Sequence, residues 1–302
     1  MNWFLIALIN PIAHAFVNHL DKYLISRFLK GASVGTLVLF SSLFAVIALP
    51  IIIFINPDVV SETSFIRALI LMVNGGLLTV AIICYLYALN YDEASFVAPL
   101  FQLVPVFGYF FSFLILGETL NSSQILAALL IVIGSAFLSL EISTGSPRLK
   151  KTFLFLMIGS SFFYAINAVI FKSIAINQGF MDSLFWDLSG KVIFGIILFF
   201  TIRSYREQFI NLLKSNRFSI IGLNVVNEIL ALIGEIALIL AVIIAPVALV
   251  QSVGGLQPMF VFIVGILITI FLPKLGKESL QKSVLIQKII GIAIITVGVY
   301  LL

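Results

Sequence analysis

Long apolar runs, separated only by short polar clusters, dominate this sequence from end to end. A run of about 20 apolar residues spans the hydrocarbon core of a bilayer as a helix. Ten such runs can be placed, at roughly 3–25, 33–56, 65–90, 94–117, 122–142, 152–174, 182–203, 217–244, 246–272 and 284–302. Polar breaks mark their ends. Asn56-Pro57-Asp58 closes the second run, Tyr91-Asp92-Glu93 separates the third from the fourth, and Gly117-Glu118 closes the fourth. Only 10% of the residues are charged, against 62% hydrophobic. A soluble domain carries roughly 25% charged residues, so water is not the solvent for most of this surface. In lipid every backbone polar group must be paired inside the structure, which leaves helices or closed barrels. The unbroken runs lack the alternation of barrel strands. The expectation is an all-α, multi-pass integral membrane protein.

Several functions are disfavoured at once. The single cysteine, Cys84, allows neither an intrachain disulfide nor a cysteine metal cluster. No phosphate-binding loop, dinucleotide fingerprint or zinc motif is present, so no cofactor, no enzymatic activity and no ATP-driven transport by this chain alone are expected. The basic residues sit between apolar runs, as in cytoplasmic loops, and do not form a nucleic-acid surface. Met1–Ala15 ends in Ala13-His14-Ala15, which mimics a signal-peptidase site. It lacks a basic leading region, and it is read as the first membrane helix.

The segment from Ser143 to Lys151 is the most polar break near mid-chain. It divides the sequence into a first five-helix unit (1–142), a basic linker (143–151) and a second five-helix unit (152–302). A shift of 150 residues brings His14 onto Tyr164, Lys22 onto Lys172, Asn74 onto Asn224, Ala81 onto Ala231 and Tyr85 onto Glu235. A shift of 153 brings Val97 onto Val250 and Pro105 onto Pro258. Ala127 and Gly134 correspond to Gly291 and Gly298, small residues suited to close helix packing. Repeats with an odd number of spans are inverted relative to one another, a construction that puts the site of transporters at the interface of the halves.

Charge gives the orientation. Lys22, Arg27, Lys30, Arg148, Lys150, Lys151, Arg203, Arg206, Lys214, Arg217, Lys274, Lys277, Lys282 and Lys288 fall on or near one side. Arg67, with Asp58, Glu62, Asp92, Glu93, Glu118 and Asp182, reads as the other. The positive-inside rule makes the basic side cytoplasmic, with both termini outside.

The stretch Ala94-Ser95-Phe96-Val97-Ala98-Pro99-Leu100, followed by Leu103-Val104-Pro105-Val106 and Leu116-Gly117-Glu118-Thr119-Leu120, resembles the hallmark region of EamA-type drug/metabolite transporters. Ala245-Pro246-Val247-Ala248, Leu256-Gln257-Pro258 and Leu275-Gly276-Lys277-Glu278 form a weaker echo in the second half. The resemblance implies ten transmembrane helices as two inverted five-helix repeats. Helices one to four and six to nine would line a central cavity, with the fifth and tenth at the periphery. The second half departs from the family in carrying Gly276-Lys277-Glu278 where Gly-Glu is usual. The outside termini depart from it too, since relatives commonly keep both ends in the cytoplasm.

Candidate site residues lie on these helices. Asn224, Asn227, Glu228 and Glu235 share one face of the eighth, and the two carboxylates are about 10 Å apart along its axis. A charge at mid-bilayer costs about 2.5 kcal/mol or more unless it faces a polar interior. The pair therefore reads as a cation or proton site, or as a structural ion pair with Lys172 or Lys191. His14 and Asn18 form a polar stripe on the first helix. Asp187 and Lys191, four residues apart, are expected to neutralise each other. Tyr85, Gln102, Tyr164, Asn167 and Gln251 complete the cavity candidates, with Lys172 as a further one.

The function expected is secondary transport of a small metabolite across the cytoplasmic membrane, bacterial by expectation, through alternating access and coupled to protons or cation exchange. A lipid or polyprenyl-carrier flippase of the same fold, a non-transporting structural subunit and a lipid-acting enzyme are the alternatives. The expected partners are a small-molecule substrate and the lipid bilayer, with a homodimer left open.

Overall fold

A computed structural model describes residues 2–27, 34–91, 100–139, 151–214, 218–271 and 282–302. Among these residues every regular element is helical. The helices are α1 (Trp3–Arg27), α2 (Val34–Phe44), α3 (Ala48–Ile55), α4 (Phe65–Tyr91), α5 (Leu103–Leu116), α6 (Ser122–Ser139) and α7 (Lys151–Gln178). They continue as α8 (Phe180–Thr201), α9 (Arg203–Lys214), α10 (Phe218–Ile244), α11 (Val247–Val253), α12 (Gln257–Phe271) and α13 (Lys282–Leu301). A 3₁₀ turn joins α2 to α3, and another joins α11 to α12, so each pair makes one apolar rod.

Among the described residues, seven helical segments are long and apolar enough to cross a membrane: Trp3–Leu20, Val34–Ile55, Phe65–Ala88, Lys151–Gln178, Phe180–Thr201, Ile221–Ile244 and Val247–Phe271. Leu103–Leu116, Ser122–Phe137 and Leu285–Leu301 are shorter apolar helices. The outward surface agrees with lipid as solvent: Phe54, Phe65, Phe155 and Phe200 are 88%, 77%, 77% and 69% exposed. The protein is an integral, multi-pass membrane protein.

Packing follows the small residues. α1 lies along α10, α4 lies between α7 and α8, α5 lies on α7, and α6 lies along α13. The α4–α8 contact is backbone to backbone. A Cβ on Gly75 would collide with the Asp187 carbonyl, and one on Gly190 would collide with Met72. The α6–α13 seam runs through Gly134, which faces the backbone of Ile295, and Gly298, which faces that of Ala127.

The polar stretch between the seventh and eighth apolar runs is not simply a connecting loop: Arg203–Lys214 is helical. Tyr205, Phe209 and Leu213 recur every four residues, which gives the segment one apolar face. Tyr205 is buried, fills the space left by Gly35 of α2, and its hydroxyl lies 2.7 Å from that of Tyr87 on α4. Two prolines that coincide under the 153-residue shift sit at helix starts. Pro105 is the third residue of α5 and Pro258 the second of α12. In the first turn of a helix the missing N–H has no partner to lose. The bends therefore fall just before them, at Gln102 and at the 3₁₀ turn Gly254–Leu256. Pro99, Asp92, Glu93, the central linker up to Lys150 and Gly276-Lys277-Glu278 lie outside the described residues.

Candidate functional site

Among the described residues, two ion pairs of low exposure mark two polar clusters in the interior. The first is at the middle of α8 and α10. Lys191, 4% exposed at its side chain, donates to both carboxylate oxygens of Glu235, at 3.0 and 3.3 Å. The Glu235 side chain keeps 17% exposure. Glu228, two turns earlier on α10, and Asp187, one turn earlier on α8, both act electrostatically on the same ammonium. Lys191 thus has one carboxylate in contact and two more within electrostatic reach. Mutual neutralisation of Asp187 and Lys191 is corrected here: the ammonium's hydrogen bonds go to Glu235, across the interior, while Asp187 accepts a 2.7 Å bond from the Asn74 amide of α4.

α1 supplies the opposite wall. Asn10 donates to the Gly234 carbonyl at 3.1 Å. The absence of a side chain at Gly234 lets Ala13 and His14 come close to α10. His14 lies within electrostatic reach of Glu235 and Lys191. Asn18, one turn further along α1, is partly buried. α7 and α4 add an aromatic face. The ring of Phe101 sits between Tyr164 and Tyr85, with centroids 5.2 and 5.5 Å away, and Tyr164 is within electrostatic reach of Glu235. Glu235, Glu228, His14, Lys191, Tyr164 and Tyr85 therefore form one neighbourhood.

Other candidates lie elsewhere or are engaged. Asn167 and Asn74 each donate a side-chain amide to the other's backbone carbonyl, at 3.1 and 3.2 Å. This reciprocal pair fastens α7 to α4. Gln251 packs against Gly108 at the α5–α11 contact, and Gln102 against Gly255. Asn224 and Asn227 are buried on α10.

Lys172 belongs to the second polar cluster. Its ammonium pairs with Glu118 at 2.5 Å and donates to the Ala245 carbonyl at 2.6 Å. The other oxygen of Glu118 accepts the Val247 N–H at 2.9 Å. Ala245 and Val247 flank Pro246, where α10 stops and α11 starts. An orphan carbonyl and an orphan N–H of this break are thus satisfied by one ion pair. Gly117 ends α5 in the left-handed region (φ 67°), with the Glu118 N–H bonded back to Ser112. This Schellman-type end sets Glu118 where it can reach α11.

Asp187, Asn74 and Glu118 were not among the site candidates. Asn74 and Glu118 were visible as a repeat match and a family motif, but their partners are 113 and 129 residues away, beyond any local spacing rule.

The model of the EamA-like transporter family matches residues 1–140. No curated relative matches the chain. One solved crystal structure shares the fold with a TM-score of 0.67 at 13% identity, over 100% of this chain and 95% of the other. The sequence, the fold and the match over residues 1–140 agree: this protein resembles the EamA-type drug/metabolite transporters, a family of membrane transporters.

Proposed function

We propose that the protein is a secondary transporter for a small metabolite bearing a cationic group, working by alternating access. The observation that carries this reading is the Lys191–Glu235 pair inside the helix bundle, closed on the lysine side and part-exposed on the glutamate side. Charges inside a bilayer are costly and mark substrate or ion pathways. Glu228 and Asp187 add negative charge within electrostatic reach of the same ammonium. The part-exposed Glu235 is the seat for the substrate cation, with His14, Tyr85 and Tyr164 as its surroundings. Asn18, Asn224 and Asn227 remain candidates for further polar contacts.

The reading includes ten spans, with the three shorter apolar helices as the fourth, fifth and tenth, in two inverted units (1–142 and 152–302) joined by 143–151. The helix pairings support it. α1 on α10 and α7 on α4 are each a first span against the other unit's third. α6 on α13 and α2 on α8 pair like with like. The bend at Gln102 and the turn at Gly254–Leu256 also coincide under the 153-residue shift. Helix order puts the basic ends, α9 included, on one side, which we assign to the cytoplasm. Asp92 and Glu93 follow α4 in the sequence and therefore belong with that basic side, not with the acidic one.

One asymmetry favours a second reading, a flippase for an amphiphilic substrate. α4 and α8 touch closely, but α2 and α10, their equivalents, make little contact. Under the 150-residue shift Gly75 becomes Val225 and Gly190 becomes Phe40, so this contact lacks the glycines that allow close approach. A gap there would open sideways to lipid.

A thermal-shift screen of purified protein against metabolite classes tests the main reading, because a ligand stabilises the state it binds. Amine-bearing compounds should raise Tm in the native protein and lose that effect in Glu235→Gln. Stabilisation by anions alone, or equal stabilisation of both proteins, would refute it. Stabilisation only by cationic amphiphiles would favour the flippase.

A further inference from the structure

We propose that Asp187 is a proton-binding site and the second seat of the Lys191 ammonium, so that a cation arriving at Glu235 is exchanged for a proton leaving Asp187. This rests on the reading of Glu235 as the substrate seat.

The geometry is specific. Asp187 is 1% exposed and sits on α8 four residues before Lys191. That spacing puts both side chains on one face of the helix, and Lys191 has a flexible four-carbon stem. As the structure stands, the ammonium is committed to Glu235. Asp187 then has a neutral amide, Asn74, at 2.7 Å. Its apolar neighbours along α8, Leu184, Leu188 and Val192, are all buried. A carboxylate in such surroundings carries a large desolvation cost unless it is paired, and the usual escape is to take up a proton.

The charged and titratable groups on the neighbouring elements are accounted for. On α10 they are Glu235 and Glu228. On α7, Lys172 is held by Glu118, Tyr164 lies within reach of Glu235, Lys151 is exposed at the helix start, and Asn167 is an amide. α4 presents Asn74 at this level, with Arg67 exposed two turns before it and Tyr85, Cys84 and Tyr87 farther along; of the described cations only Lys191 acts on Asp187. α2 and α3 carry no ionisable side chain. Asp182 is bound by Asn56 at the start of α8, near Asp58. The charged residues of α9 follow the opposite end of α8. Lys191 is therefore the cation within reach of Asp187.

The exchange balances. In the first state Lys191 and Glu235 form a neutral pair and Asp187 is a neutral acid. When the substrate's cation takes Glu235, Lys191 turns to Asp187. The Asp187 O–H bond breaks, and its proton passes to water on the side then open. The site gains one cation and loses one proton, so its charge is unchanged. Substrate and proton would move in opposite directions.

Infrared difference spectroscopy on full-length protein in lipid nanodiscs tests this with the proton itself as probe, independently of any substrate. Glu235→Gln imitates a neutralised Glu235. At neutral pH the native protein should show a carboxylic-acid carbonyl band that shifts when aspartate carries heavy carbon in its side-chain carboxyl. The band should be lost in Asp187→Asn and also in Glu235→Gln, where Lys191 is released to Asp187. Isotope labelling identifies the band as aspartic even if Asp187→Asn fails to fold. Absence of the aspartic band in the native protein, its survival in a folded Asp187→Asn, or its persistence in Glu235→Gln would overturn the proposal. The thermal-shift result for Glu235 would stand apart from any of these.

Discussion

At the scale of the residue, the decisive fact is that Lys191 binds across the interior and not along its own helix. An i, i+4 acid–base spacing is worth only about 0.2–0.5 kcal/mol on an exposed helix, which is too little to dictate a partner once another carboxylate is within reach. The sequence made the mid-membrane charges legible because each is expensive in lipid. It could not say which charges meet, since Lys191 and Glu235 are 44 residues apart and Lys172 and Glu118 are on different helices. Breaking such a pair leaves a charge without its partner, at a cost of about 3–5 kcal/mol, whereas replacing both members is commonly near neutral. Lys191→Met should therefore lower Tm by several degrees, and adding Glu235→Leu should restore most of the loss. Fluorescence-detected thermal unfolding in detergent checks this. Equal Tm for the native and Lys191→Met proteins would mean that the pair contributes no stability.

At the scale of the element, glycines and amides determine which helices touch. The apolar runs marked nearly every long helix to within a few residues, because hydropathy reads burial in lipid directly. They missed α9, whose apolar residues are diluted by charge, and they missed the turn at Gly254–Leu256, which lies inside an unbroken apolar run. The value of Gly75 was also hidden, since a glycine inside a helix looks like a weakness until the Asp187 backbone is seen against it. Overpacking a tight contact costs about 1–3 kcal/mol, and here the obstacle is main chain that cannot rotate away. Gly75→Leu should drive α4 from α8 and sharply reduce folded protein on fluorescence size-exclusion chromatography. Gly222→Leu, on an open face of α10, should leave the yield unchanged. Equal yields of the two variants would show that the α4–α8 contact tolerates separation.

At the scale of the whole molecule, the proposed duplication and the charge bias bear on different properties. The 150-residue shift proposes which helices are equivalent, and the distribution of Lys and Arg proposes which end faces the cytoplasm. In a Cys84→Ala background, an impermeant thiol reagent on intact cells should label a cysteine at Val60 and spare one at Ser146. The reverse pattern would put both termini inside. The central claim is that Glu235 holds the cargo during transport. Its most direct test is uptake, into proteoliposomes, of the amine-bearing compound that most stabilises the native protein. Native protein should accumulate it, and Glu235→Gln, reconstituted to equal amounts with its fold intact, should slow uptake at least tenfold. Uptake by Glu235→Gln at the native rate and with the native pH profile would contradict the claim.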